Sequence, residues 1–291
     1  MQVESTTDLP LPDDILAGWR SLVATGAHVH LPQIAEHLNV PQAALLAARV
    51  GVGATRLHPD LAEVLRPIKD WHRVLFVASS ELGVFMPMDK VTEAMEEAGV
   101  LTLSGETFRA RITPSPVREI YIFEDSETGP GTSKSIQAFD EAGEPLLKVV
   151  LFHKPSFRAA QDWTAKFVHP DQSRTWQPVA TACVVDRRPK ATPSEQRGDV
   201  PAFPFAETLE SARASGRHLT IKARATGLEL DWHGQLTKLK QDGAMVHLHE
   251  HTLRAHLNLT KAQAVSGGDV ATQLHVTGQA GPALEIVKGE V

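Results

Sequence analysis

The stretch TFRARI at 107–112 is written again, almost letter for letter, as TLRAHL at 252–257. Arg109 and Arg254 hold the same place in the phrase, 254 − 109 = 145 residues apart. Two more anchors keep the same order. Gly83-Val84 matches Gly227-Leu228 at 227 − 83 = 144, and AFDEAGEPL (138–146) matches VTGQAGPAL (276–284) at 276 − 138 = 138. The offset shrinks where the first copy carries the longer loop EDSETGPGTSK. Ordered anchors with length changes confined to loops mark an internal duplication. The expectation is an α+β chain of two halves, each an antiparallel sheet with flanking helices, packed as pseudo-twofold partners.

Local patterns fill in the elements. Asp13-Asp14 cap and charge-complement a first helix through about Val23. LPQIAEHLNVPQAALLAARVG (31–51) reads as two amphipathic helices broken at Asn39-Val40-Pro41, with Pro41 in the first turn of the second and Gly51 or Gly53 ending it. From Arg73 onward RVLFVASS, GVFM, REIYIF, SIQAF and LLKVVLF are short, β-branched and aromatic runs between turn residues, and read as strands. FDEAGEPLLK reads as a hairpin in which Gly143 supplies a positive φ. Residues 89–98 (DKVTEAMEEA) are expected as a short acidic helix stopping near Gly99, and 156–167 as a helix capped by Ser156. Residues 168–205 are rich in proline and read as an irregular connector in which only VATACVV is strand-like. A helix at 206–215 ends at Gly216 and strands resume at His218. The expected division is a first repeat with its helical preamble (1–168), a connector (169–205) and a second repeat (206–291).

The bulk numbers exclude several function classes. The chain has 291 residues, 42% hydrophobic and 22% charged, with a formal charge of −6, so it has core material for one large domain or two and no overall attraction to nucleic acid. The 31–51 helix pair has helix-turn-helix spacing, but its second helix offers one arginine and no basic face. The single cysteine, Cys183, permits no internal disulfide and fits a reducing compartment. No signal-like or membrane-spanning run is visible, so a cytoplasmic location without a membrane partner is expected. Nucleophile elbows and glycine-rich phosphate loops are absent from the sequence, and Cys183 sits in an apolar run where a thiol is inert. With both repeats in one chain, a monomer is expected.

SIQAFDEAGEPLLKVVLF (135–152) resembles the strand–turn–strand phrase S-L-Q-F-F-D-x-x-G-x-x-V-H-K-V-Y-L of the HemS/ChuX haem-utilisation family. IAEHLNVPQAALLAARVG (34–51) is similar to that family's opening helices. HGQLTKLKQDGAMVHLHEHTLRAHL (233–257) is similar to its second-repeat phrase, with Gly234, Leu239, Gly243, Leu253, His256 and Leu257 at matching positions. The resemblance covers most of the chain in the family's two-repeat order. It implies a haem-binding protein of haem and iron utilisation, working in haem trafficking or ring degradation, with haem or a related tetrapyrrole held in a cleft beside the sheets. A haem-transfer protein partner follows from the same implication. A degrading enzyme needs an open iron site for oxygen and an electron donor, and the sequence identifies neither, so a carrier is expected ahead of an enzyme. Two departures stand out. The long-form family places a ligating histidine in a helix between the repeats, in a stretch like D-W-x-x-L-x-D-T-H-D-F-F, whereas the only histidine of this connector is His169. The family's distal arginine lies in V-M-A-L-T-R-N-E, whereas this chain reads VLFVASSE with Ser79 there.

Candidate ligands must then come from elsewhere, since haem iron needs an imidazole, thiolate, thioether or phenolate donor. VHLHEH places His247, His249 and His251 at period two, on one face of a strand if the strand continues. That is either a transition-metal site, completed by His256 or His275, or a solvated strand split by a turn at 250–252. His256 and Arg254 share a face, as Arg111 and Arg109 do in the first copy. Those arginines either pair with propionates or form a water-facing stripe. His218 and His72 open the two sheets and either ligate iron or end a strand; Trp71, Trp232 and Phe76 either line a porphyrin cleft or belong to the core. The readings that remain are a haem carrier, a metal-binding protein or metalloenzyme using the 247–256 histidines, and a scaffold without ligand.

Overall fold

The computed structural model describes residues 9–26, 30–80, 83–127, 132–151, 154–178, 203–259, 264–267, 273–278 and 281–288. Three helices open the chain: α1 (Pro12–Ala24), α2 (Leu31–Leu38) and α3 (Gln42–Ala48). Strand β1 (Ala54–Leu57) and helix α4 (Leu61–Leu65) follow. The first strand series is β2 (Val74–Ser80), β3 (Gly83–Asp89), β4 (Glu93–Glu97), β5 (Val100–Ser104), β6 (Phe108–Ile112), β7 (Glu119–Asp125), β8 (Ser133–Phe139) and β9 (Pro145–Leu151). Helices α5 (Lys154–Phe167) and α6 (Phe203–Ser215) lead to the second series. It comprises β10 (His218–Ala225), β11 (Leu228–Gln235), β12 (Leu239–Asp242), β13 (Met245–His249), β14 (Leu253–Asn258), β15 (Ala264–Gly267), β16 (Gln273–Gly278) and β17 (Gly281–Lys288). The chain is α+β, and every pairing of these strands whose register is defined is antiparallel. No helix among the described residues is long and apolar enough to cross a membrane.

The chain divides into two compact units. The first comprises Met1–Val64, Pro116–Leu146 and Phe157–Pro193. Here α1 buries Ile15, Leu16 and Trp19, spaced for one helical face, against α2 and the Ala/Leu-rich α3. Asn39 takes the left-handed conformation that closes α2, at φ 52°. Pro41 is the residue before α3, so it precedes the helix instead of lying in its first turn. β1 was not expected from its four residues; it pairs with β7, Ala54 opposite Phe123 through Leu57 opposite Ile120. Gly143 has φ +74°, and a Cβ there would lie 2.7 Å from Pro41 and 2.9 Å from Trp176, so glycine serves both the turn and the packing. Helix α5 begins at Lys154, two residues ahead of Ser156, which therefore lies within its first turn and is not the cap. The strand-like VATACVV falls outside the described residues.

The same unit ties its helical layer to β7 through a carboxylate. Trp19 Nε1 donates to Glu127 at 2.8 Å, and Arg49 donates two hydrogen bonds to it at 2.9 and 3.2 Å. The Arg49 guanidinium lies 4.5 Å from the centre of the Trp19 ring. The Arg49 hydrogen bonds hold the Glu127 carboxyl below the usual carboxylate range, against the opposing effect of burial. Because the folded-state pKa is depressed, this stabilisation is present at neutral pH and is lost as pH falls through the lowered pKa. In urea titrations, Glu127→Gln is therefore less stable than the parent near neutrality, and the difference shrinks below about pH 4. A difference independent of pH contradicts this.

The second unit comprises Leu65–Ser115, Leu147–Ser156 and Ser194–Val291. It contains two strand runs, β9-β2-β3-β14-β13-β12 and β15-β16-β17-β10-β11-β6-β5-β4. The repeats have exchanged strands: the trio β4–β6 of the first copy joins β11 of the second, and β12–β14 of the second joins β3 of the first. The register is uniform. Gly83 faces Leu257 and Leu228 faces Ile112, so 228 − 83 = 257 − 112 = 145. The same offset maps Glu97 opposite Val100 onto Asp242 opposite Met245. Gly83 is thus equivalent to Leu228, not to Gly227; each hairpin has its glycine at a different place in the turn.

Residues 93–97 are strand β4, not part of a helix. Ala98 and Gly99 both have positive φ, 50° and 75°, which matches the right-handed twist of a two-residue hairpin turn closing β4 on β5. The stretch has no apolar stripe to bury as a helix: Met95 is 53% exposed. Its acidic residues suit the outer edge of a sheet, where charge discourages further pairing. Trp71, Phe76 and Trp232 are buried in the core, and Phe76 packs on Phe108 with ring centres 5.1 Å apart.

Candidate histidine site in the cleft beside α6

β13 and β14 alternate strictly. Val246, Leu248, Leu253, Ala255 and Leu257 point into the core, leaving His247, His249, Arg254 and His256 on the other face. The register puts His247 directly opposite His256 and His249 opposite Arg254. His256 is therefore across from one histidine and diagonal to the other, within reach of both rings. Ring centres of His247 and His249 lie 5.1 and 5.3 Å from that of His256. His247 Nδ1 and His256 Nδ1 are 2.8 Å apart, a hydrogen bond in which one ring donates. The three imidazoles each offer a nitrogen within 4.8 Å of the others. Burial, then the charges of His247, His249 and Arg254, lower the pKa of His256, which favours its neutral, ligand-competent form.

Helix α6 lies beside β12. Ala206, Leu209 and Ala212 are its inward residues, and Glu210 and Arg213 turn toward a cleft of about 700 Å³ whose floor is the histidine trio. Lys238 and Lys240 line the same cleft, Lys240 opposite His247 across the β12–β13 pair. Arg213 is ion-paired with Glu210 on its own helix. Glu250 closes the far end of the hairpin, accepting hydrogen bonds from the backbone of Thr237 at 2.6 Å and of Lys238 at 2.8 Å.

The other expected residues lie elsewhere. β13 ends at His249, so His251 falls in the turn and instead meets Arg73, whose Nη2 donates to its carbonyl at 2.7 Å. Arg109 and Arg111 are exposed on β6, opposite Asp231 and Glu229 of β11; Arg111 is 3.1 Å from Glu229. They share no cleft with His256. Arg254 is exposed beside the trio, and His218 is exposed at the start of β10, opposite Gln235. His169 accepts from the backbone N–H of Asp171 at 3.0 Å in a turn of the first unit. His275 lies on β16, whose side chains are outside the described residues. Among the described residues, α6 carries no histidine. The cleft residues Arg213, Lys238 and Lys240 were missed; their only sequence signal was proximity to strands whose pairing partners are not legible locally.

Residues 39–167 match the family profile described as "Haemin-degrading HemS.ChuX domain". The fold is similar to that of holo-PhuS, a heme-binding protein from Pseudomonas aeruginosa, with a TM-score of 0.82 and 17% identity over 97% of this chain and 94% of that one. It is also similar to the heme degrading enzyme ChuS of Escherichia coli O157:H7, with a TM-score of 0.79 and 18% identity over 97% of this chain and 95% of that one. The profile match covers residues 39–167, and the fold of nearly the whole chain is similar to those of PhuS and ChuS. No curated protein matches the chain.

Proposed function

We propose that this protein binds haem in the cleft between α6 and the β12–β14 face and serves haem utilisation as a carrier. One observation carries the reading: imidazoles form the floor of a cleft walled by Arg213, Lys238 and Lys240. An imidazole is a competent axial donor to haem iron, and cations at the rim pair with propionate carboxylates. The residues therefore fit the group. The donor comes from the sheet, where the relevant side chains are held by paired strands, and not from the helix between the repeats. His249 is the most exposed of the three and His256 is biased toward its neutral form. The profile match over 39–167 and the similarity of the fold to that of PhuS, a heme-binding protein, support the ligand class. The single Cys183 supports a reducing, cytoplasmic setting.

The test is a haemin titration of the purified apo-protein followed by absorbance. The reading predicts a sharp Soret band saturating at one equivalent. A broad spectrum like that of free haemin, growing without saturation, overturns it.

A further inference from the structure

We propose that His247, His249 and His256 form a site for a bare divalent transition-metal ion, independent of haem. Porphyrin nitrogens fill four positions around haem iron, and the two axial positions lie on opposite faces of the ring. Imidazoles projecting from one sheet face supply at most one of them. A bare ion has no such restriction. Zinc held at about 2.0–2.1 Å from each nitrogen spaces imidazole donors roughly 3.3 Å apart at the tetrahedral angle. The trio's donor atoms, all within 4.8 Å of one another, reach that spacing by ring adjustments alone. His247 Nδ1 and His256 Nδ1 are 2.8 Å apart, so an ion bound between them displaces the proton of their hydrogen bond and widens the pair slightly.

The duplication shows that the site is a local addition to a shared frame. At the uniform offset of 145, His247, His249 and His256 stand where the first copy has Thr102, Ser104 and Arg111. The backbone pairing is the same in both copies, yet only the second places three imidazoles on this face. Both strands are internal to the sheet, so the donors sit on rigid elements. Three imidazoles suit zinc, nickel, copper or ferrous iron, and leave a fourth position open toward the cleft. The surrounding charges, Arg254 opposite His249, Lys240 opposite His247 and Arg213 on α6, oppose a naked cation and favour an anionic fourth ligand. Glu210, the cleft carboxylate, is engaged by Arg213.

The experiment is calorimetric titration of the haem-free, chelator-treated full chain with Zn²⁺, with Co²⁺ absorbance in parallel. The expected result is one equivalent bound, with visible cobalt bands of four- or five-coordinate geometry. His247→Ala and His256→Ala each weaken binding at least about 100-fold. His218→Ala and His251→Ala leave it unchanged. His249→Ala, at an exposed position, also weakens binding and guards against misfolding of the half-buried variants. Absence of a stoichiometric site, or binding that survives loss of the trio, overturns the proposal. The haemin titration on the same preparations separates the two readings: zinc binding without a Soret band removes only the haem carrier, and a Soret band without zinc binding removes only the ion site.

Discussion

Replacing Gly83 by alanine lowers the unfolding free energy by roughly 3 kcal/mol or more. Two costs combine. Gly83 has φ +131°, a region that residues with a Cβ rarely enter, and the added methyl carbon would sit 2.0 Å from the carbonyl oxygen of His256. That atom is backbone, held in the β3–β14 ladder, so no side-chain rotation relieves the clash. β14 must move away from β3, or the ladder must open at Gly83. Either shift breaks hydrogen bonds of the β3–β14 ladder, while His256 keeps its pairing with His247 on the other edge of β14. A urea midpoint within error of the parent would show that the two strands do not approach so closely. The equivalent position of the other copy, Leu228, tolerates a full side chain opposite Ile112, so the tight seam belongs to one side of the pseudosymmetric pair.

Arg56→Met is expected to cost about 3 kcal/mol, through the first unit and not the cleft. The Arg56 side chain is 8% exposed and lies 3.1 Å from Glu119 and 2.9 Å from Asp171. It also donates to the Tyr121 hydroxyl at 3.3 Å and to the carbonyl of Thr175 at 3.2 Å. Tyr121 in turn donates to Glu119 at 3.0 Å. Burial, reinforced by the Glu119 charge, raises the Tyr121 pKa well above that of a free phenol, so the hydroxyl keeps its proton and its donor role. Burial alone would lower the pKa of Arg56, but Tyr121, Glu119 and Asp171 outweigh it. Methionine preserves the packed stem but leaves the Glu119 carboxylate without its cation. Arg56→Met combined with Glu119→Leu recovers much of the loss, because the pair is removed together. Equal stabilities for the single and double variants would contradict the coupling.

The duplication was legible because TFRARI and TLRAHL lie on equivalent strands, β6 and β14, where strict alternation leaves little freedom. What alternation does not encode is the partner. Val246 and Leu248 declare a strand with one buried face, yet nothing local says that β14 will pair with β3 of the other repeat. That exchange assigned Arg109 and Arg111 to one sheet and Arg254 and His256 to another, so the expected arginine face is divided. Gly83 and Gly227 share a residue type but not a place in the hairpin, so the first anchor is off by one residue. Read at 145, DG at 242–243 would have identified the acidic 93–97 stretch as its strand counterpart. The period-two histidines were visible, but their third member is His256 across the hairpin and not His251, since the strand stops at His249 before the turn. β1 escaped notice because ATRL has too few residues to show a period, and its edge is completed by backbone and side-chain bonds from 169–172, such as Gln172 to Arg56.

The most direct measurement compares haemin titrations of the parent chain and of the triple variant His247→Ala/His249→Ala/His256→Ala, with circular dichroism to verify the fold. The account predicts a saturable, imidazole-ligated Soret band in the parent and its loss in a folded triple variant. A variant that binds haemin as tightly as the parent, with the same spectrum, would contradict the assignment of the ligand site to this cleft.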